Sequence, residues 1–159
     1  MRRFPTGKWG RQTLQFYPAP YRAPMRAFAV LVFAWQEELV LVCDIAGRGW
    51  CVPSGRVEPS ETSMEAGLRE TLEEGGAELA DCQYIGCYKI TDRDQIRWAD
   101  CFVGRVTSLG DIGCPEESSG RRLLTREELP SSYHIWDSLI ERVFEHSREV
   151  FERIPTVDN

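Results

Sequence analysis

Glu70, Glu73 and Glu74 stand at i, i+3 and i+4 within the stretch GRVEPSETSMEAGLRETLEEGGA, residues Gly55 to Ala77. On a helix this spacing holds three carboxylates within an arc of about 100°. Like charges so placed repel by roughly 0.2–0.5 kcal/mol per pair, which a solvated helix face tolerates. The other reading is chemical. Hard cations such as Mg²⁺ take oxygen ligands in octahedral array from carboxylates, waters and substrate phosphates, and three clustered carboxylates beside an open loop supply such ligands. A sharp turn at Pro53-Ser54-Gly55 can bring free backbone carbonyls to the same place.

A helix must hold those carboxylates. Thr62-x-x-Glu65 reads as a capping box that starts it, and Gly75-Gly76 supplies a left-handed stop. Met64, Leu68 and Leu72 recur every four residues and are expected to form the buried stripe, with the glutamates on the opposite side of the helix.

Read as G-x(5)-E-x(7)-R-E-U-x-E-E-x-G-U, with U a bulky apolar residue, this stretch resembles the Nudix box. Gly55, Glu61, Arg69, Glu70, Glu73, Glu74 and Gly76 all match. Thr71 and Ala77 depart at two apolar positions, and Ser54 replaces a glycine common just before the box. The likeness is specific over these residues and looser over roughly residues 25–150. It implies an α/β fold, the Nudix-type α/β/α sandwich with a mixed β-sheet, over residues 25–159, with residues 1–24 outside it as an N-terminal arm. It also implies hydrolysis of a phosphoanhydride bond in a nucleoside diphosphate linked to another group, dependent on Mg²⁺ or Mn²⁺.

By that resemblance Glu73 and Glu74 are direct metal ligands. Glu70 is a ligand or the base that orients the attacking water, and the Ser54 carbonyl completes the shell. Glu61 and Arg69 pair to tie the loop to the helix, with Gly55 and Gly76 as structural support. MutT-like members bring a further catalytic glutamate from a loop, and counting back from LLTREEL (123–129) lands on Glu117, with Glu116 in reserve. Trp50, Tyr88 and Trp98 are candidates to stack on a base, and Arg93 and Arg97 to meet a phosphate. Asp92-Arg93-Asp94-Gln95 offers neither the proline of ADP-ribose enzymes nor the tyrosine of dinucleoside polyphosphate enzymes. Small size favours a MutT-like nucleoside triphosphate pyrophosphatase. The alternatives are an ADP-ribose or dinucleoside polyphosphate hydrolase, or a catalytically silent nucleotide-binding module, which the intact set of box glutamates disfavours.

The rest of the chain must supply the scaffold. Its 159 residues suit one domain, and 42% hydrophobic with 28% charged residues is an ordinary globular balance. A formal charge of -6 argues against a nucleic-acid surface. No apolar run approaches the length of about 20 residues that spans a bilayer. Arg2, Arg3 and Lys8 precede no apolar signal core, so a cytoplasmic protein acting on a small nucleotide is expected. The six cysteines form no C-x-x-C pair and read mainly as small buried hydrophobes.

Residues 1–24 read as an irregular arm with one short strand near Gln12–Tyr17, packed on the domain or in a homodimer contact. FAVLVFAW (28–35) reads as a central buried strand, LVLVCDI (39–45) as its hairpin partner, and CQYIGCYKI (82–90) with QIRWADCFVGRV (95–106) as a second hairpin. A long polar loop is expected over 107–122. An amphipathic helix over 135–151, with Ile135, Leu139, Val143 and Phe144 apolar, then covers one sheet face.

Overall fold

The computed structural model describes residues 4–156; the basic pair Arg2 and Arg3 lies outside the described residues. The two predicted hairpins form where the apolar runs stand, at β3 (Ala29–Gln36) with β4 (Leu39–Ile45) and at β7 (Ala77–Asp92) with β8 (Gln95–Leu109). Period-two alternation along β3 and β4 serves two cores. Val30, Val32, Ala34, Leu41 and Cys43 face one layer, and Phe33, Trp35, Val40 and Val42 face the other.

Nine strands occur among the described residues, in the order β1-β2-β7-β8-β3-β4-β5, with β6 added to β3 and β9 to β4. The β3–β8 pair is parallel and the others are antiparallel, so the sheet is mixed. Helix α1 (Ser63–Gly75) covers one face, while α3 (Ser138–Arg153) covers the other through Leu139, Val143, Phe144 and Phe151. This is the expected α/β/α sandwich. A short helix, α2 (Leu129–Ser132), precedes α3 and was not expected.

Two segments differ from the sequence expectation. The arm carries the expected strand near Gln12–Tyr17 as β2 (Gln12–Pro18) but is not irregular around it: β1 (Gly7–Trp9) precedes β2, and β2 pairs along its whole length with β7, from Gln12↔Asp92 to Pro18↔Gly86. Leu14 and Phe16 are buried there, so alternating burial makes this a true sheet strand. The expected loop over 107–122 is shorter, confined to residues 110–117: β8 runs to Leu109 and β9 spans Ser118–Leu124. Polar residues hid this strand: the run Ser119-Gly120-Arg121-Arg122 carries no apolar alternation, and Ser118 and Leu124 at its two ends are the buried residues of β9.

Strands β3 and β4 pair only at Trp35↔Val40 and Gln36↔Leu39, next to their turn. Beyond it they part, and β6 (Ser54–Arg56) enters the gap, pairing Leu31↔Ser54 and Ala29↔Arg56. Strand β5 (Gly49–Cys51) continues on β4 instead. The split seats the Ser54-Gly55-Arg56 segment within the sheet.

Helix α1 is turned the other way from the expected stripe. Met64, Leu68 and Leu72 are exposed, whereas Ala66, Gly67, Glu70, Thr71, Glu74 and Gly75 are buried. Small residues decide this. A Cβ on Gly67 would lie 3.0 Å from Val32 Cγ2, and one on Gly75 would lie 2.8 Å from Leu41 Cδ2. Leucines on that face would hold the helix off the sheet. Thr71 fits because its hydroxyl donates to the Gly67 carbonyl at 2.7 Å.

Two outcomes are expected from these contacts. Gly67→Val should destabilise by about 1–3 kcal/mol through overpacking, and Leu68→Ala should stay within about 0.5 kcal/mol; urea unfolding of both variants measures the contrast. The second concerns His146, whose Nε2–H donates to the Ile85 carbonyl at 2.9 Å between Phe4 and Phe16. Burial lowers its pKa below the ordinary 6.5. The unfolded chain therefore takes the proton first, and stability held above pH 6.5 is lost as the pH falls through it. Thermal scans between pH 7.5 and 5.5 should show a smaller decline for His146→Gln than for the wild type.

Candidate active site

Helix α1 begins at Thr62, whose hydroxyl accepts from the Glu65 amide while the Glu65 carboxylate accepts from the Thr62 amide, each at 3.1 Å. It stops at Gly76, which adopts φ 63°. Between these caps Arg69 reaches four acceptor groups. Its Nε and Nη2 donate to Glu61 Oε2 at 3.2 Å and Oε1 at 2.6 Å, a two-pronged pair. Nη1 donates to Glu70 Oε1 at 2.8 Å and Glu73 Oε2 at 3.2 Å, and Nη2 also reaches the Arg56 carbonyl at 3.1 Å. The guanidinium ties the loop before the helix to the carboxylates on it and to β6. These bonds pull the Glu61 carboxyl below its ordinary pKa and raise that of Arg69.

Glu70 and Glu74 lie under the helix, 7% and 3% exposed. Burial raises both pKa values. Protonated Glu74 donates to Glu70, which raises Glu74 further, and a bond from the Ser54 amide at 3.4 Å works against this. Gly55 makes room, because a Cβ there would fall 2.2 Å from Glu70 Oε1.

Glu117 arrives from the loop between β8 and β9. An α-helix leaves its last four carbonyls without intrahelical partners. In α1 the Gly76 cap amide meets Leu72 O at 3.0 Å, with the Gly113 amide a second donor at 3.4 Å, and the other three carbonyls are met by this loop and β9: Glu73 O accepts from the Cys114 amide at 2.8 Å. Glu74 O accepts from the Ser118 hydroxyl at 2.6 Å, and Gly75 O from Arg121 Nη1 at 2.8 Å. The loop is thus fastened along the end of α1, and oxygens of Glu70, Glu73 and Glu117 lie within 4.8 Å of one another. Glu116 is exposed on the same loop and outside this cluster.

The carboxylates line a groove of about 520 Å³ with Arg56 and Arg69. On the other side of β6 lies a cleft of about 440 Å³, whose walls include Trp9, Phe28, Leu31, Tyr133 and His134. Arg56 borders both. The expected substrate residues fare differently. Tyr88 is 3% and Trp98 5% exposed, so neither offers a face for stacking; Tyr88 is core, and Trp98 is covered by Tyr17 and Tyr21. Trp50 is half-buried beneath the Arg122 guanidinium, 4.7 Å from its ring centre. Arg93 sits at the exposed β7–β8 turn, outside the residues lining the cleft or groove. Arg97 lies over Phe28 and shares a depression with Arg56. Arg56, Trp9 and His134 were not anticipated; nothing in their spacing marks them, and they meet only through the pairing of β1 with β2 and of β6 with β3 in the sheet and the bond from the His134 amide to the Trp50 carbonyl at 2.8 Å.

A mixed sheet sandwiched by helices, with a glutamate-bearing helix entered through a tight loop, defines a known class: residues 23–146 match the model of the NUDIX domain, and the chain belongs to that family. Among its relatives, a Bacillus subtilis (strain 168) protein named provisionally as the 8-oxo-dGTP diphosphatase YtkD is 39% identical over 92 residues, 58% of this chain. The match spans 57% of that relative's length. A mutant of the Bacillus subtilis pyrophosphohydrolase BsRppH shares the fold with TM-score 0.77 and 24% identity, covering 91% of this chain and 96% of the other. The NUDIX domain of Shewanella oneidensis NrtR, crystallised with ADP ribose, follows with TM-score 0.65 and 15% identity over 84% and 95% of the two chains.

Removing the central cation tests this geometry. Arg69→Ala leaves Glu61 and Glu70 without their partner and should cost about 1–3 kcal/mol in chemical unfolding, whereas Arg93→Ala should unfold like the wild type.

Proposed function

We propose that the chain hydrolyses a phosphoanhydride bond of a small nucleotide with the help of a divalent cation. The observation that carries this reading is the convergence of Glu70, Glu73 and Glu117 oxygens within 4.8 Å at the groove. The donors are all hard oxygens, the set that Mg²⁺ or Mn²⁺ takes, and Glu73 and Glu117 are open to solvent. When bound there, such a cation would offset phosphate charge and acidify a water.

The chain's own residues do the rest. Glu73 is the ligand open to solvent at the groove, with Glu70 beside it under the helix. Glu74 is the inner ligand, available once it gives up its proton, and the Ser54 carbonyl is a further donor. Glu117 holds and deprotonates the attacking water, since it lies within reach of the ligands yet is anchored through its loop rather than the helix. Arg56 meets the phosphates at the groove's edge. Arg69 and Glu61 hold the carboxylates in position. A nucleoside triphosphate is the preferred substrate, supported by the diphosphatase name of the curated relative.

Turnover of 8-oxo-dGTP, the common nucleoside triphosphates, ADP-ribose, NADH and dinucleoside polyphosphates with Mg²⁺ and Mn²⁺ tests the proposal; folded protein inert toward all of them would end it. Glu73→Gln should weaken Mn²⁺ binding at least about tenfold by calorimetry, roughly 1.4 kcal/mol, with the fold intact by circular dichroism. Glu117→Gln should lower kcat at least about tenfold with little change in Tm.

A further inference from the structure

Residues before 23 lie outside the stretch matched by the family model, yet they supply a wall of the cleft. Strand β1 is clamped between β2 and the start of α3. It pairs with β2 from Gly7↔Leu14 to Trp9↔Gln12. A Cβ on Gly7 would lie 2.8 Å from Leu139 Cδ2, so β1 lies close against α3. Asp137 ties the two: Oδ1 accepts from the Ile140 amide at 2.8 Å as the helix cap, and Oδ2 accepts from Trp9 Nε1 at 3.1 Å.

The indole is therefore held from one edge. His134 meets it in a T-shaped contact, ring centres 6.2 Å apart and planes at 82°. Trp9 is only half-buried, and both rings border the cleft. Leu31, Ile90 and Ala99 add aliphatic surface, and Gln12 adds an amide that can donate and accept. A concave site of this size, apolar with aromatic walls and few polar groups, suits a flat heterocycle. Arg56 joins the cleft to the carboxylate groove, so a ring placed there can carry its phosphates toward the glutamates.

We propose that the β1–β2 hairpin is a specificity element and that the Trp9 indole is the surface on which the substrate's base stacks. This rests on the nucleotide reading above and extends it to a segment beyond the family-matched residues. Asp137 acts through Trp9, fixing the indole before the base arrives, so that little ordering remains to be done on binding.

Calorimetric titration in Mg²⁺ buffer with methylene-bridged analogues of GTP and ATP, and with inorganic pyrophosphate, tests the proposal. Trp9→Ala should weaken both nucleotide analogues at least about tenfold, roughly 1.4 kcal/mol, while pyrophosphate binding stays within about twofold. Trp9→Phe keeps a stacking ring without the Asp137 bond, and should stay within about threefold of the wild type for the nucleotides. Unchanged nucleotide affinity in Trp9→Ala overturns the proposal. So does an equal loss for pyrophosphate, which would mean that the indole only supports the fold. Hydrolysis by the wild type is scored separately: a protein that binds the analogues through Trp9 yet turns over no nucleotide overturns the hydrolase reading and leaves the stacking surface standing.

Discussion

The end of an α-helix exposes carbonyls that need donors, and in α1 that requirement organises the site. Cys114, Ser118 and Arg121 donate to the last three carbonyls and Gly113 joins the Gly76 cap amide on Leu72 O, so the loop after β8 runs back along the end of α1. Two of these donors are loop amides and two are side chains of β9, which is itself paired to β4. The loop is therefore fixed relative to both the helix and the sheet. Glu117 joins Glu70 and Glu73 as a consequence of satisfying hydrogen bonds that any helix end would demand.

A second constraint works against electrostatics. Close packing of Ala66, Gly67, Thr71 and Gly75 on the sheet draws Glu70 and Glu74 beneath the helix, where desolvation penalises their charged forms. The protein answers with the Arg69 guanidinium, which holds Glu70, Glu73 and Glu61 at once, and burial and the neighbouring Glu70 raise the pKa of Glu74, which favours its neutral form. Without those partners the inner carboxylates would be buried charges lacking compensation. With them the carboxylates are kept close together despite the negative charge they concentrate.

The early parting of β3 and β4 links this site to the cleft. Because the two strands pair only next to their turn, β6 can bond to β3 and stand between the carboxylate groove and the aromatic cleft. Gly55 is the narrowest point, with Glu70 against its backbone, and Arg56 looks onto both sides. The β1–β2 hairpin closes the cleft from the far edge of the sheet, held by Asp137 at the start of α3.

Much of this was legible in the residues alone. The glutamate spacing, the Thr62–Glu65 capping box, the Gly76 stop and the four strands of the two hairpins follow from local geometry, which depends on neighbours within a few positions, while the Glu61–Arg69 pair was implied by the family resemblance. A repeat of 3.6 residues shows which side chains share a helix face but not which face turns inward. Met64, Leu68 and Leu72 carried the stronger apolar signal and yet face solvent, because close approach to Val32 and Leu41 rewards the absence of side-chain volume. The polar β9 and the short β1 were hidden for a related reason: β9 is placed by pairing with β4, and β1 by a β2 that pairs with β7, at registers 68 or more residues apart. Tyr88 and Trp98 illustrate the same limit, since an aromatic on a strand looks alike in sequence whether it faces a cleft or a core. Only the assembled sheet turned those two inward and left Trp9 at the cleft.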